Sequence, residues 1–162
     1  MTTEHRKGDL FQSTDLQAIC HGCNTFGTMG AGIAVLFRKK FPEMYTRYRS
    51  KCKNEEFSPG DIMIWSGESD GKAVYNLMTQ GCVRNSSNTY NPGVIQPATL
   101  GAIEASVGLM LVDAKSRGIT RIGMPKIGSG LGGLNWLDIE NVLVKSCEEI
   151  YPGVTLVVHS LV

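Results

Sequence analysis

Two glycine-rich stretches hold most of the residues suited to chemistry. One is Asn24-Thr25-Phe26-Gly27-Thr28-Met29-Gly30-Ala31-Gly32, and the other is Pro125-Lys126-Ile127-Gly128-Ser129-Gly130-Leu131-Gly132-Gly133. Glycine takes positive φ at little cost and lets the backbone approach a ligand closely. Successive N–H groups in such a loop form an anion nest, and a following helix adds positive potential. Either stretch alone could be a tight connection between elements. Two stretches with this much glycine favour a diphosphate gripped from both sides. Neither reads G-x-x-x-x-G-K-[ST] or G-x-G-x-x-G. A nucleotide ligand therefore fits, but a P-loop NTPase or a Rossmann dehydrogenase is not supported.

The second run with chemical content is Cys20-His21-Gly22-Cys23. Its C-x-x-C spacing raises zinc, but a structural zinc site needs four ligands, usually as two close pairs. Cys52, Cys82, Cys147, His5 and His159 supply no second pair, so buried thiols and no metal are expected. A histidine such as His21 can orient water or protonate a leaving oxygen. The plainer reading is a hydrogen-bonded histidine at a strand end. Cys23 and Ser129 are possible nucleophiles, yet only His21 lies close enough in sequence to serve as a base. Both read better as loop packing.

The elements that position these residues follow from periodicity. Strands are expected near residues 16–20, 61–65, 73–78, 121–124 and 154–161, with a short one at 5–7. A first helix runs from Gly32 through Phe37 and resumes from Pro42 to Cys52. A second carries Pro97 in its first turn, an apolar face of Leu100, Ile103, Val107, Met110, Leu111 and Ala114, and a stop at Gly118. A third opens at the N-cap Asn135, with Asp138 three residues on, buries Ile139, Val142, Leu143 and Ile150, and ends at Pro152-Gly153. Strands alternating with helices imply a layered α/β fold. Such folds place their ligand at the carboxyl ends of the strands, where both glycine loops fall.

The chain has 162 residues and a formal charge of +1. That suits one domain and leaves no broad basic field for nucleic acid. Arg38, Lys39 and Lys40 read as a solvated helix end. No apolar run approaches a membrane span, and the first residues lack a signal-like apolar core. A cytoplasmic setting with reduced cysteines is the expectation.

Four segments together resemble the macrodomain family over nearly the whole chain, from Gly8 onward: Gly8-Asp9-Leu10, His21-Gly22-Cys23-Asn24, Met29-Gly30-Ala31-Gly32-Ile33-Ala34 and Met124-Pro125-Lys126-Ile127-Gly128-Ser129-Gly130-Leu131. The branch resembled most holds terminal ADP-ribose glycohydrolase and the yeast ADP-ribose-1″-phosphate phosphatase. The resemblance implies a three-layer α/β/α fold around a central mixed, largely parallel sheet, as one domain over 1–162. It implies ADP-ribose or a 1″-substituted derivative as ligand, attached in some cases to protein or nucleic acid, with no cofactor, no metal and no membrane. Asp9, with Leu10 beside it, matches the adenine-binding aspartate. Asn24 matches the asparagine facing the distal ribose. Gly30, Ala31, Gly32 and Ile33 match one phosphate loop, and Gly128, Ser129, Gly130, Leu131 and Gly132 match the other. Thr79 and Gln80 fall at the cleft, and His159 falls where relatives carry an aromatic residue near adenine.

Three departures bear on activity. The glycohydrolase pattern has a lysine where this chain has Gln80 and an aspartate where it has Gly132. Some bacterial relatives carry an acid where it has Asn135. The lysine-adduct route is thus not expected, and His21 with Asn24 remains as the catalytic pair implied by the phosphatase pattern. The expected function is hydrolysis at the 1″ position, with phosphate the preferred substituent and de-ADP-ribosylation or deacetylation of O-acetyl-ADP-ribose the other reactions the resemblance implies. The alternatives are a non-catalytic ADP-ribose reader and a phosphate-binding module for another nucleotide, against which Asp9 argues.

Overall fold

A computed structural model describes residues 2–66, 71–82, 95–128 and 133–160. The strands are β1 (Thr3–Lys7), β2 (Ala18–Asn24), β3 (Ile62–Trp65), β4 (Ala73–Cys82), β5 (Ile95–Gln96), β6 (Arg121–Pro125) and β7 (Thr155–Ser160). The helices are α1 (Ile33–Lys40), α2 (Pro42–Lys53), α3 (Leu100–Arg117) and α4 (Trp136–Ile150). The sheet runs β1-β7-β6-β2-β4-β3, with the short β5 paired to β4. Pairings from β1 through β4 along this order are parallel, while β3 and β5 are antiparallel to β4.

Strand alternation sends side chains to two separate cores. Cys20, Tyr75, Leu77, Leu156 and Val158 pack with Ile103, Val107, Met110, Ile139 and Leu143 of α3 and α4. Ile19, Cys23, Val74, Met78 and Val157 pack with Phe37 of α1 and Met44, Tyr48 and Cys52 of α2. Helices thus cover both faces of the sheet, which is the three-layer α/β/α arrangement. Among the described residues, no helix is long and apolar enough to cross a membrane.

The helix boundaries follow local chemistry. The Thr99 hydroxyl accepts from Ala102 N–H at 3.0 Å and starts α3. Pro97 therefore lies ahead of the helix rather than in its first turn, which corrects the expected boundary. Its ring disfavours helical backbone at the preceding residue, and Gln96 is accordingly the end of β5. Gly118 closes α3 in the left-handed region, at φ 69°. Asn135 caps α4 by accepting from Leu137 N–H at 2.8 Å.

β2 runs four residues further than the apolar pattern shows. Its neighbours on both sides, β4 and β6, let it continue through polar positions whose side chains find partners inside. β4 also extends past Met78. Cys23 pairs with Met78 but Asn24 pairs with Gln80, so Thr79 is an extra residue in β4. A bulge of this kind re-aims the side chains beside it, and here it brings Thr79 and Gln80 to the carboxyl edge of the sheet.

Candidate functional site

A cleft of about 300 Å³ opens at the carboxyl ends of β2, β4 and β6. Thr28, Gly30, Ala31, Gly32, Ile33 and Ala34 form one wall, Pro125, Lys126, Ile127 and Gly128 the other, and Gly22, Thr79 and Gln80 the floor. Gly22 must be small. A Cβ there would sit 3.0 Å from Thr79 Oγ1 and 3.8 Å from Ile127 Cβ.

The wall at α1 is built to attract negative charge. α1 is preceded by Gly32, which has φ 61° and makes no side-chain cap. The first-turn N–H groups of a helix have no partner within the helix. At α3 and α4 a side chain takes one of them, whereas at α1 none does: Val35 N–H turns back to Gly32 O at 3.3 Å, and Ile33 and Ala34, which precede it, line the cleft. The opposite wall carries Lys126, whose Nζ lies 5.9 Å from the centroid of the Trp136 ring.

The site residues expected from sequence divide into three groups. Gly30, Ala31, Gly32, Ile33, Thr79, Gln80 and Gly128 all line this cleft. Ser129, Gly130, Leu131 and Gly132 lie outside the described residues. The remainder sit elsewhere. Asp9 is exposed, and its Oδ1 accepts from Phe11 N–H at 2.9 Å, capping a single 3-10 turn at Leu10–Gln12. Leu10 is buried beneath Gly123, where a Cβ would come within 2.7 Å of Leu10 Cδ1. It packs the core instead of facing a ligand.

His159 is also buried. Its Nδ1–H donates to Val157 O at 3.0 Å, so its Nε2 accepts from the Ser13 hydroxyl at 2.9 Å. Both ring nitrogens are used within the fold, and the imidazole does not line the cleft.

The expectation that His21 faces the reacting centre is not met. Strand alternation turns Gly22 to the cleft and His21 into the core under α1. His21 is 0% exposed and stacks on Phe37 at 3.7 Å between ring centroids, with the planes 1° apart. Asn76 Nδ2 donates to Met63 O at 3.1 Å, which leaves its Oδ1 to accept from His21 Nε2–H at 2.7 Å. Burial lowers the His21 pKa to about 4, the hydrogen bond to Asn76 opposing it only in part. The imidazole is neutral and holds α1 to the sheet.

Asn24 is likewise spent on structure. Its Oδ1 accepts from Phe26 N–H at 2.9 Å, Thr28 N–H at 3.4 Å and Tyr48 O–H at 2.8 Å, and its Nδ2 donates to Thr28 O at 3.0 Å and Thr28 Oγ1 at 2.9 Å. The side chain fixes the loop that walls the cleft and does not itself enter it. Cys20 and Cys23 are buried on opposite faces of β2, so their spacing does not converge on a metal. Among the described residues, no cluster of three or more histidine, cysteine or acidic groups could hold one. Burial raises the Cys23 thiol well above its usual pKa, which removes it as a thiolate nucleophile. Thr28 and Lys126 are polar cleft residues that the sequence reading passed over, as it did Gly22, Ala34, Pro125 and Ile127. The signal for Lys126 was its place inside the second glycine loop.

The Macro domain family model matches residues 20–143. The chain belongs to the macrodomain family. It is 31% identical over 154 residues to a DNA ADP-ribosyl glycohydrolase of Mycobacterium tuberculosis, covering 94% of this chain and 40% of the relative, so the chain spans well under half of that protein's length. It is 34% identical over 149 residues to an ADP-ribose 1″-phosphate phosphatase of Candida albicans, covering 86% of this chain and 90% of the relative. The solved macrodomain of Mycobacterium tuberculosis DarG superposes with a TM-score of 0.80 at 30% identity, covering 97% of this chain and 96% of that one.

Among the described residues of this macrodomain's cleft, hydroxyl, amide, ammonium and backbone N–H groups are present, and no carboxylate lines it. Such a set can bind and stabilise anionic oxygens. It does not offer a strong general base.

Proposed function

We propose that this macrodomain binds ADP-ribose and hydrolyses a substituent at its 1″ position, with phosphate the preferred leaving group. The observation that carries the reading is the uncapped N-terminus of α1 facing the Pro125–Gly128 wall across the cleft. A diphosphate between them would accept from α1 and neutralise part of the Lys126 charge. Asp9 would take the adenine at the other end of the crest, its second carboxylate oxygen being free of the turn it caps. From β1 to β4 the crest covers four strand spacings, roughly 19 Å, which suits an extended dinucleotide-like ligand. Thr79 and Gln80 then sit at the distal ribose. The names carried by the mycobacterial and Candida relatives support hydrolysis of an ADP-ribosyl bond or a 1″-phosphate.

With His21 in the core, the reaction would draw on α1 and Lys126 to stabilise charge, and on Gln80 and the substrate's own phosphate to hold a water. Among the described residues, Cys20, Cys23, Cys52 and Cys147 are buried and form no disulfide, which suits a reducing compartment such as the cytoplasm. A second reading, a reader that binds without turnover, is favoured by the lack of a carboxylate among the described lining residues. The deciding experiment measures phosphate release from ADP-ribose-1″-phosphate, alongside O-acetyl-ADP-ribose and ADP-ribosylated protein and DNA. Release of phosphate supports the hydrolase. Binding of ADP-ribose with no turnover on any of the four makes the protein a reader.

A further inference from the structure

The net charge of +1 conceals a strong separation. Residues 38–53 hold seven of the sixteen basic residues and one acid, a net +6 that leaves −5 for the rest of the chain. The structure places these cations on α1's last turn and along α2. Arg38 lies over the Tyr45 ring at 5.7 Å, and Lys51 reaches Glu56 at 3.5 Å. Lys39, Lys40, Arg47, Arg49 and Lys53 are exposed, and none forms an ion pair with an acid among the described residues.

Ordinary solvation does not account for this pattern. A helix selected for solubility interleaves signs at i,i+4, whereas α2 sets one such pair, Glu43–Arg47, against two like-charge pairs, Arg47–Lys51 and Arg49–Lys53, that work against the helix. The helix dipole favours Lys51 and Lys53 near the C-terminus but not Arg47 and Arg49 further in. The buried face of α2 is Met44, Tyr48 and Cys52. On its outer flanks lie two shallow hollows of about 450 and 480 Å³. Trp65, Arg47, Lys51 and the single acid Glu43 line one, which keeps a net positive charge, and Tyr45, Arg49 and Lys53 line the other. They share Thr46 and Ser50 as the ridge between them. Each hollow thus pairs an aromatic ring with two cations.

The helix is also coupled to the cleft. Tyr48 O–H donates to Asn24 O at 2.6 Å, and Gly27 packs against Cys52 and Arg49. Asn24 holds Thr28, which lines the cleft. We infer that the outer face of α2 is a docking surface for a single-stranded polynucleotide, with Arg47, Arg49 and Lys53 on its phosphates and the Trp65 and Tyr45 hollows taking bases. Alternation of cations with aromatic platforms is what a sequence-tolerant single-strand surface requires. An acidic peptide would use the charge alone, whereas a single strand would also use the parts of the rings that line the hollows beyond their packing on the core. The inference rests on the proposed ADP-ribose reading in one respect only, that a modified base on the docked strand would present its ADP-ribose to the adjoining cleft.

The test measures fluorescence anisotropy of a short unmodified single-stranded oligodeoxynucleotide across a salt series. It compares the parent, the triple variant R47Q/R49Q/K53Q and the control K115Q/R117Q/K145Q, which removes the same number of cations from α3 and α4. ADP-ribose calorimetry runs on the same preparations. The parent and the control should bind with affinity falling linearly on a log–log salt plot. The triple variant should bind at least about tenfold more weakly, with a slope shallower by about 2, as expected for three lost phosphate contacts on a single strand. Its ADP-ribose affinity should be unchanged, which also shows that it is folded. Equal oligonucleotide binding by parent and triple variant would overturn the proposal. So would displacement of the oligonucleotide by polyglutamate at equal charge, or tighter binding to anionic phospholipid vesicles. If the parent binds oligonucleotide and not ADP-ribose, the surface stands and the ADP-ribose reading falls.

Discussion

The imidazole of His21 stays neutral at pH 7 because water cannot reach it, and this has a consequence in acid. Its pKa in the fold is about 4, against 6.5 for the free side chain. Unfolding exposes the ring and lets it protonate, so between these values the unfolded chain binds the extra proton. The stability that His21 contributes is complete above pH 6.5 and is lost as the pH falls to about 4, up to about 3 kcal/mol for a fully buried group. His159 is shifted in the same direction, mainly by burial, and steepens the same window. Denaturant melts of His21→Phe from pH 7 to pH 4 should therefore show a flatter stability profile than the parent, whatever their offset. ADP-ribose affinity and any turnover should stay within about threefold of the parent, because the ring does not reach the cleft. A loss of kcat of a hundredfold or more, the usual worth of an acid–base group, with ADP-ribose affinity intact, would return His21 to the chemistry. The motif His21-Gly22-Cys23-Asn24 was legible as important but not as oriented. Only the strand's phase decides that Gly22, and not its neighbours, meets the ligand.

At the scale of elements, α1 sets the electrostatics of the cleft. Its first turn lacks a side-chain cap, so a ligand oxygen can take that place. Gly30 has open space around its Cβ position and no positive φ, so an aspartate can be introduced there without backbone strain. Gly30→Asp should put a carboxylate at the same helix end. ADP-ribose affinity by calorimetry should drop more than tenfold, while the melting temperature stays level or rises slightly. Unaltered affinity would mean that the phosphates bind elsewhere. Sequence made α3 and α4 legible because Gly118 and Asn135 mark helix ends by local chemistry alone. The far ends of β2 and β4 were not, since Asn24 and Thr79 are strand residues only through partners far along the chain. The bulge at Thr79 is a property of two strands together and leaves no trace in either. Pro97 misled for a related reason, as the Thr99 hydroxyl two residues on is the stronger start signal.

Over the whole molecule, one ligand would tie together elements that stand on different strands of the sheet. Asp9 follows β1, Gly30–Ile33 lead into α1, Thr79 and Gln80 end β4, and Pro125–Gly128 lead toward α4. All of them stand on one crest because the strands from β1 to β4 run parallel. That common edge could be read from alternating elements and glycine loops. The charge separation also stands in the sequence, at residues 38–53, but a total of +1 hides it, and only the fold shows that these cations share the outer side of α1 and α2. A ligand contacting so many elements binds the native state and not the unfolded chain, so it must raise the melting temperature. At a free concentration of one hundred times Kd the gain is about 2.7 kcal/mol. For a chain of this size that corresponds to roughly 5–10 °C. AMP carries only the adenine end and one phosphate, so it cannot bridge Asp9 to the floor at Thr79 and Gln80. At the same molar concentration it should shift the melting temperature by less than half as much. Differential scanning fluorimetry with ADP-ribose, AMP and ribose-5-phosphate separates the cases. Equal shifts for AMP and ADP-ribose would confine the site to the adenine end, and then the cleft between α1 and Pro125–Gly128 would not be holding the diphosphate.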